Sequence, residues 1–165
     1  MEMRREALSD TAGDAAIQAA IQMEEVGKDF YDALGAATSD PGLADLCREL
    51  SAAEADHRET FRRIRSELAR QAKTVLLRDD QAAEARQAVR EAILPDPAAI
   101  RRLVSRGSVA ALLQTAIQME KDSIAYYRRL IGALPEPAAV EAIIREEQEH
   151  LRLLMAAGRG QETSN

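Results

Sequence analysis

Four segments with helical periodicity, joined by connections of very unequal length, constrain the fold of this chain more than any other feature. Apolar residues recur at a spacing of three or four in each segment, which is typical of amphipathic helices. The segments are expected to run from about 14 to 38, from 40 to 73, from 108 to the "LPEP" turn, and from that turn to just before Gly158. The Asp40–Pro41 pair is a helix N-cap followed by a first-turn proline.

The connections predict how these helices are arranged. Only a few residues separate the members of the first pair (14–73) and of the second pair (108–157), so each pair is expected to form an antiparallel hairpin. The 74–106 segment between the pairs is long enough to cross the length of a bundle, about 45 Å for a 30-residue helix. We therefore predict one all-α domain over 1–165, a four-helix bundle with a long crossover. The crossover is expected to contain a short extra helix in "DDQAAEARQAVREAIL".

Composition narrows the class of protein. Aromatic residues make up only 3% of the chain and the net charge is −6, so a general attraction to nucleic acid is not expected. The single cysteine, Cys47, excludes an internal disulfide and a four-cysteine metal module. The sequence shows neither a signal-peptide pattern nor an apolar run of membrane-spanning length. We expect a cytoplasmic protein that does not bind membranes.

An internal repeat relates the two hairpins. "AIQMEEVGKDFY" at 20–31 matches "AIQMEKDSIAYY" at 116–127, and each copy has a tyrosine seven residues after its first glutamate. The second helix of each hairpin carries one Glu-x-x-His motif, and the two motifs contain both histidines of the chain. Two similar hairpins packed together would form a bundle with approximate two-fold symmetry.

Ionisable residues of the repeat fall on the apolar stripes, where core residues are expected. They are Glu24, Glu54, His57, Glu120, Glu147 and His150. Within each hairpin the glutamates are about equally far from the connecting turn, so all six residues can meet at one height. Buried charge at this density is unfavourable unless something neutralises it. One Glu-x-x-His is commonly a surface coincidence, but this doubled, core-facing pattern predicts a metal centre.

The predicted centre holds two metal ions bridged by Glu54 and Glu147. The other ligands form two pairs, Glu24 with His57 and Glu120 with His150. Residues three apart face the same side of a helix, so each motif can offer an oxygen and a nitrogen to one metal. Oxygen-rich ligands with one imidazole per metal suit iron or manganese better than structural zinc.

At these residues the chain resembles the ferritin-like di-iron superfamily, and within it the rubrerythrin-related proteins. The resemblance implies a ferritin-like bundle in which the six residues bind two iron ions, for which manganese or zinc could substitute. It covers most of the chain but has informative departures. Rubrerythrins carry an extra glutamate where this chain has Ser123, and bacterioferritins carry a haem-ligating methionine where it has Ala55. No rubredoxin-type Cys-x-x-Cys pair occurs in the sequence, so a peroxidase would require an external electron-donor protein.

Tyr31 and Tyr127 lie two turns from Glu24 and Glu120 on the same helix faces. Each phenol could hydrogen-bond a ligating carboxylate or donate an electron, which makes both tyrosines candidate catalytic residues around the metals. The alternative is a core tyrosine with a satisfied hydroxyl.

The resemblance implies a di-iron oxidoreductase that reduces peroxide or oxygen. Two alternatives stay open: a ferroxidase whose substrate is iron(II), and a non-catalytic bundle that the metal stabilises. The short segment after the fourth helix favours a homodimer over a hollow cage.

Overall fold

The computed structural model describes residues 2–70, 83, 97–132, 134 and 137–162, with side chains from residue 13 to residue 160 within those ranges except at residue 97. It is all-helical over this part of the chain. The helices are α1 (Glu2–Ala37), α2 (Pro41–Arg70), α3 (Pro97–Arg106), α4 (Val109–Ile131) and α5 (Ala138–Glu162). The predicted ferritin-like helical bundle is therefore confirmed, whereas the predicted helix within 79–94 lies outside the described residues except for residue 83.

The two predicted hairpins are present. Helix α1 packs along α2 and helix α4 along α5, and the hairpins contact each other through α1 with α4 and α2 with α5. Helix α3 lies within the predicted crossover and packs against α1, where Ile100 and Val104 are buried. The crossover thus covers part of the first hairpin.

Local capping sets where α2 and α4 begin. The Asp40 carboxylate accepts hydrogen bonds from the backbone N–H groups of Gly42 at 2.8 Å and Leu43 at 3.2 Å. The Ser108 hydroxyl likewise accepts from Ala111 N at 3.2 Å. Both caps satisfy first-turn donors that have no partner within the helix, and both starts agree with the expected positions.

Two predicted helix ends were wrong. Helix α1 begins at Glu2, well before residue 14. Asp14 therefore lies inside the helix, where its carboxylate accepts hydrogen bonds from Arg65 on α2 at 2.6 and 2.8 Å. Helix α5 continues through Gly158 to Glu162. A glycine inside a helix costs only about 1 kcal/mol relative to alanine, which is not enough to end it.

Two apolar clusters form the core, and each long helix contributes to both. The first cluster includes Ile17, Phe61, Ile124 and Ile144. The second cluster includes Leu34, Leu50, Leu113 and Leu154. Along each of these four long helices the predicted ligands fall between the two clusters, so the polar site is enclosed by apolar side chains on both sides.

In the described part of the chain, no helix combines the length and the apolar character that a membrane crossing requires.

Candidate metal centre

All six predicted ligands lie in the interior, between the two apolar clusters. The most enclosed is Glu147, which is 0% exposed, and the least enclosed is His150 at 8%. Helices α1 and α4 contribute one glutamate each, and helices α2 and α5 contribute one Glu-x-x-His each. The i, i+3 spacing directs both residues of each motif to the same helix face.

The six residues form two overlapping groups that could each hold a metal ion. Within each group, one potential ligand atom per residue lies within 4.8 Å of the others. The first group is Glu24, Glu54, His57 and Glu147, and the second is Glu54, Glu120, Glu147 and His150. Only Glu54 and Glu147 belong to both groups, which is the sharing that the sequence predicts for bridging residues.

Glu147 is the centre of the hydrogen-bonded cluster. Its Oε1 lies 3.0 Å from Nδ1 of His57 and its Oε2 lies 3.1 Å from Nδ1 of His150. The two imidazole rings are stacked, with centroids 5.7 Å apart. One carboxylate therefore holds both histidines with their Nδ1 atoms facing the cluster.

Glu54, the other shared glutamate, has a different environment. Its Oε1 lies 3.8 Å from Nδ1 of His150, beyond hydrogen-bonding distance. Its Oε2 occupies the space beside Gly27 on α1, where an added Cβ would come within 2.4 Å of that oxygen. The absence of a side chain at Gly27 is what lets the Glu54 carboxylate approach α1 so closely.

The two candidate tyrosines bond across the bundle. The Tyr31 hydroxyl donates to Glu120, and the Tyr127 hydroxyl donates to Glu24 at 2.5 Å. The sequence associated each tyrosine with the glutamate of its own helix, but each hydroxyl reaches the glutamate of the other hairpin. These bonds tie the hairpins together at the height of the cluster.

Burial and crowding shift the proton affinities of the glutamates in opposite directions. Burial raises the pKa of Glu54 well above its usual value, and the charges of Glu24 and Glu147 add to the rise. Burial and contact with Glu147 raise the pKa of Glu120 to about 10. Burial would also raise the pKa of Glu147, but hydrogen bonds from His150 and His57 outweigh it and hold that pKa below its usual range. Without a cation, these shifts therefore favour protons on Glu54 and Glu120 beside an ionised Glu147.

The neighbouring His57 and the two tyrosines are also shifted. Burial opposes a charge on His57, but contacts with Glu147 and Glu24 raise its pKa to about 11. Burial, followed by the charge of Glu120, raises the pKa of Tyr31 well above 10, and burial with the charge of Glu24 does the same for Tyr127. Both phenols therefore keep their protons and act as hydrogen-bond donors.

Two residues that contact the cluster were missed from the sequence. Gly27 has a recognisable signal, because an isolated glycine inside a helical pattern commonly has a packing reason. Glu146 is the other: its Oε2 lies 2.9 Å from Nε2 of His57, although its side chain is 60% exposed. Sequence offers no signal for Glu146, since it resembles any other surface glutamate of a charged helix.

The donor set fits a pair of metal ions. Glu24 Oε2 is buried and accepts no hydrogen bond from any residue within the described ranges, and Nδ1 of His57 lies 3.6 Å from it. A buried carboxylate oxygen without a donor is costly, and a cation would satisfy it. The four carboxylates and two imidazoles supply the hard oxygen and nitrogen donors that iron and manganese prefer.

Comparison with known proteins agrees with this geometry. A family model described as Rubrerythrin matches residues 16–158, a range that includes all six clustered residues. No curated protein and no solved structure matches the chain significantly.

Proposed function

This chain belongs to the rubrerythrin family, and we propose that its buried cluster holds two iron ions whose reduced form delivers electrons to hydrogen peroxide. The observation that carries the proposal is the pair of four-residue groups sharing Glu54 and Glu147. Two groups with two members in common are what a carboxylate-bridged pair of cations requires. A single structural ion would need only one group of four residues.

In this proposal the ligands divide as the two groups do. Glu24 and His57 belong to one metal position, Glu120 and His150 to the other, and both central glutamates are shared. Iron is the proposed metal, because oxygen-rich sites with one imidazole per metal suit it better than they suit structural zinc. Manganese or zinc are possible substitutes at the same donors.

The proposed chemistry is a two-electron reduction. Two iron(II) ions would supply the two electrons that convert one hydrogen peroxide and two protons into two waters. The protein excludes bulk solvent with the apolar clusters on both sides of the site. The Tyr31 and Tyr127 hydroxyls donate to Glu120 and Glu24 and so orient these two carboxylates. Glu24 and Glu120 are the outer glutamates, because each belongs to only one of the two groups.

A ferroxidase is the second candidate, and Ser123 favours it. This half-buried serine lies three residues after Glu120, where rubrerythrins have a further glutamate. Without that carboxylate, each group contains one outer glutamate, one histidine and the two shared glutamates. Two positions with the same ligand composition suit a site that binds iron(II), oxidises it and releases it.

Stopped-flow mixing of the anaerobic iron(II)-loaded protein with hydrogen peroxide or with oxygen, at equal concentrations, tests the proposal. Faster oxidation by peroxide with retained iron supports it. Equal or faster reaction with oxygen, followed by release of iron(III), supports the ferroxidase. Bound iron that reacts with neither oxidant indicates a non-catalytic, metal-stabilised bundle. Glu147→Gln should lose the reaction, and Glu141→Gln, which changes an exposed glutamate of the same helix, is the matched control.

Further parts of the proposal concern the electron donor, the oligomeric state and the cellular location. The only cysteine among these 165 residues is Cys47, so the proposed peroxidase would take its electrons from a donor that lies outside these residues. The homodimer and the cytoplasmic location stay predictions. Light scattering at about twice the chain mass of 18.1 kDa would support the dimer, and a mass near that of a multi-subunit cage would contradict it.

A further inference from the structure

The two histidines of the cluster face it in the same way but have different support on their outer sides. Nδ1 of His57 lies 3.0 Å from Glu147, and its Nε2 lies 2.9 Å from Glu146. Nδ1 of His150 lies 3.1 Å from Glu147, 3.8 Å from Glu54 and 4.0 Å from Glu120. Within the ranges that the structure describes, no residue hydrogen-bonds to Nε2 of His150.

The repeat explains this difference. Glu146 immediately precedes Glu147, and the residue in the same place before Glu54 is Ala53. The approximate two-fold symmetry that brings Glu146 to His57 would bring Ala53 toward His150, but a methyl group cannot accept a hydrogen bond. Exposure follows the same order, since the His57 side chain is 3% exposed and the His150 side chain 10%.

A carboxylate on the outer nitrogen of a metal-ligating histidine has known consequences. It fixes the tautomer with the proton on that nitrogen, holds the ring in orientation and makes the inner nitrogen a better donor. Loss of such a partner commonly lowers metal affinity by about 10–100-fold. Among the residues that the structure describes, only His57 has this support.

We propose that Glu146 is a positioning residue that makes the two metal positions unequal, with the Glu24–His57 position binding its ion more tightly than the Glu120–His150 position. This inference rests on the proposed function, because it concerns the same two positions. The second ion is then the more easily lost or exchanged, although the two sets of ligands have the same composition.

Anaerobic titration of the metal-free protein with cobalt(II), followed by the visible absorption of the bound ion, measures both affinities. The wild type should fill in two resolved steps. Glu146→Ala should weaken the tighter step by about 10–100-fold, so that the two steps merge. Glu146→Gln should restore part of the difference, because the amide oxygen can still accept from Nε2. Glu141→Ala, which replaces an exposed glutamate of the same helix, should leave both steps unchanged.

Two more variants separate positioning from a general structural role. In a His57→Ala background, Glu146→Ala should have no further effect on cobalt(II) affinity, because its only route to the metal is through that ring. Ala53→Glu should tighten the weaker step by offering His150 the same support. Circular dichroism and a thermal melt of each metal-free variant check that the fold is intact.

The outcomes distinguish this inference from the proposed function. Two equal steps in the wild type, an equal loss at both steps in Glu146→Ala, or a persisting effect in the His57→Ala background would each overturn the inequality and leave the two-metal centre standing. A wild type that binds no cobalt(II) and no iron(II) would overturn the proposed function, and the inequality with it.

Discussion

The two hairpins carry the same six-residue pattern, yet the residues around that pattern differ between them. The first hairpin has Gly27 three residues after its outer glutamate, and the second has Ser123 at the matching place. The residue before the shared glutamate is Ala53 in the first and Glu146 in the second. A repeat can therefore preserve a set of ligands while the residues next to those ligands differ between its two copies.

The shared glutamates show the difference most directly. Glu147 of the second hairpin contacts both histidines, and its pKa is lowered because those hydrogen bonds outweigh burial. Glu54 of the first hairpin lies against α1 beside Gly27, and burial raises its pKa. Without metal, these pKa shifts favour an ionised Glu147 at the centre of the cluster and a protonated Glu54.

Replacing either shared glutamate should have the largest effect on metal binding. Glu147→Ala and Glu54→Ala should each lose both metals, a fall in affinity of more than about 100-fold, which is the upper end for loss of an outer-shell partner. His57→Ala should mainly weaken one position. Metal analysis of the purified variants measures this, and full occupancy in Glu147→Ala would contradict the bridging assignment.

The Glu147→Ala and Glu54→Ala variants should differ in the melting temperature of the metal-free protein. Glu147→Ala removes the anion that both histidines contact and should lower the melting temperature of the metal-free protein. Glu54→Ala removes a carboxyl group that is buried at a cost and should lower it less. Equal losses in the two variants would contradict the different roles of the two glutamates.

Removing the metals should destabilise the bundle without unfolding its helices, because crowded carboxylates then repel one another while the apolar clusters remain packed. A chelator should lower the melting temperature and leave the helical circular dichroism signal at room temperature. A melt unchanged by chelation would contradict the clustering of the acids.

Stability of the metal-free protein should fall as the pH rises from about 6 to about 9. The pKa of Glu120 is raised from 4.5 to about 10 and that of His57 from 6.5 to about 11. Each therefore contributes stability that is full below its unfolded pKa and is lost as the pH rises toward its folded pKa. The slope is about 1.4 kcal/mol per pH unit for each proton that only the folded state holds.

Glu147 has the opposite dependence, since its pKa is lowered from 4.5. Its contribution is present above about pH 4.5 and is lost only in more acidic solution. The metal-bound protein should not share the loss at high pH, because deprotonated ligands bind metal more tightly. Thermal melts of both forms across this range measure the difference, and parallel slopes would count against protonated glutamates in the metal-free cluster.

Gly27→Ala and Ser123→Ala compare the matching positions of the repeat. A Cβ at residue 27 would meet Glu54 Oε2 at 2.4 Å, so the carboxylate must turn away and metal affinity should fall by about 10-fold. The metal-free melting temperature should hold or rise, because alanine favours a helix over glycine by about 1 kcal/mol. Ser123→Ala should change both quantities little. Cobalt(II) titration and melts decide this, and unchanged affinity in Gly27→Ala would show that Glu54 does not need that space.

Tyr31→Phe and Tyr127→Phe should have the smallest effects, and these should be equal. Each removes one hydroxyl that donates to the outer glutamate of the other hairpin, at a cost of about 1 kcal/mol in the free energy of unfolding. Urea unfolding of the metal-free variants measures that cost. A loss in only one variant would show that the cross-bundle bonds do not follow the symmetry of the repeat.

The helical bundle, its hairpins and the identity of the clustered residues could be read from the chain. Helical periodicity and connection length depend on local spacing, which is written directly in the order of residues. Glutamates and histidines within apolar stripes, at matching distances from two turns, leave few other places for their side chains. Helix ends were predicted less well, since α1 begins at Glu2 and not near residue 14, and α5 continues through Gly158 to Glu162.

Three-dimensional packing was needed to learn which partner each side chain takes. Tyr31 and Glu120 are 89 residues apart, and Tyr127 and Glu24 are 103 apart, so their pairing depends on how the hairpins lie against each other. The space beside Gly27 and the reach of Glu146 to His57 likewise depend on the separation of helices and on rotamers. Those quantities arise from the balance of all contacts in the core, and no local pattern of residues encodes them.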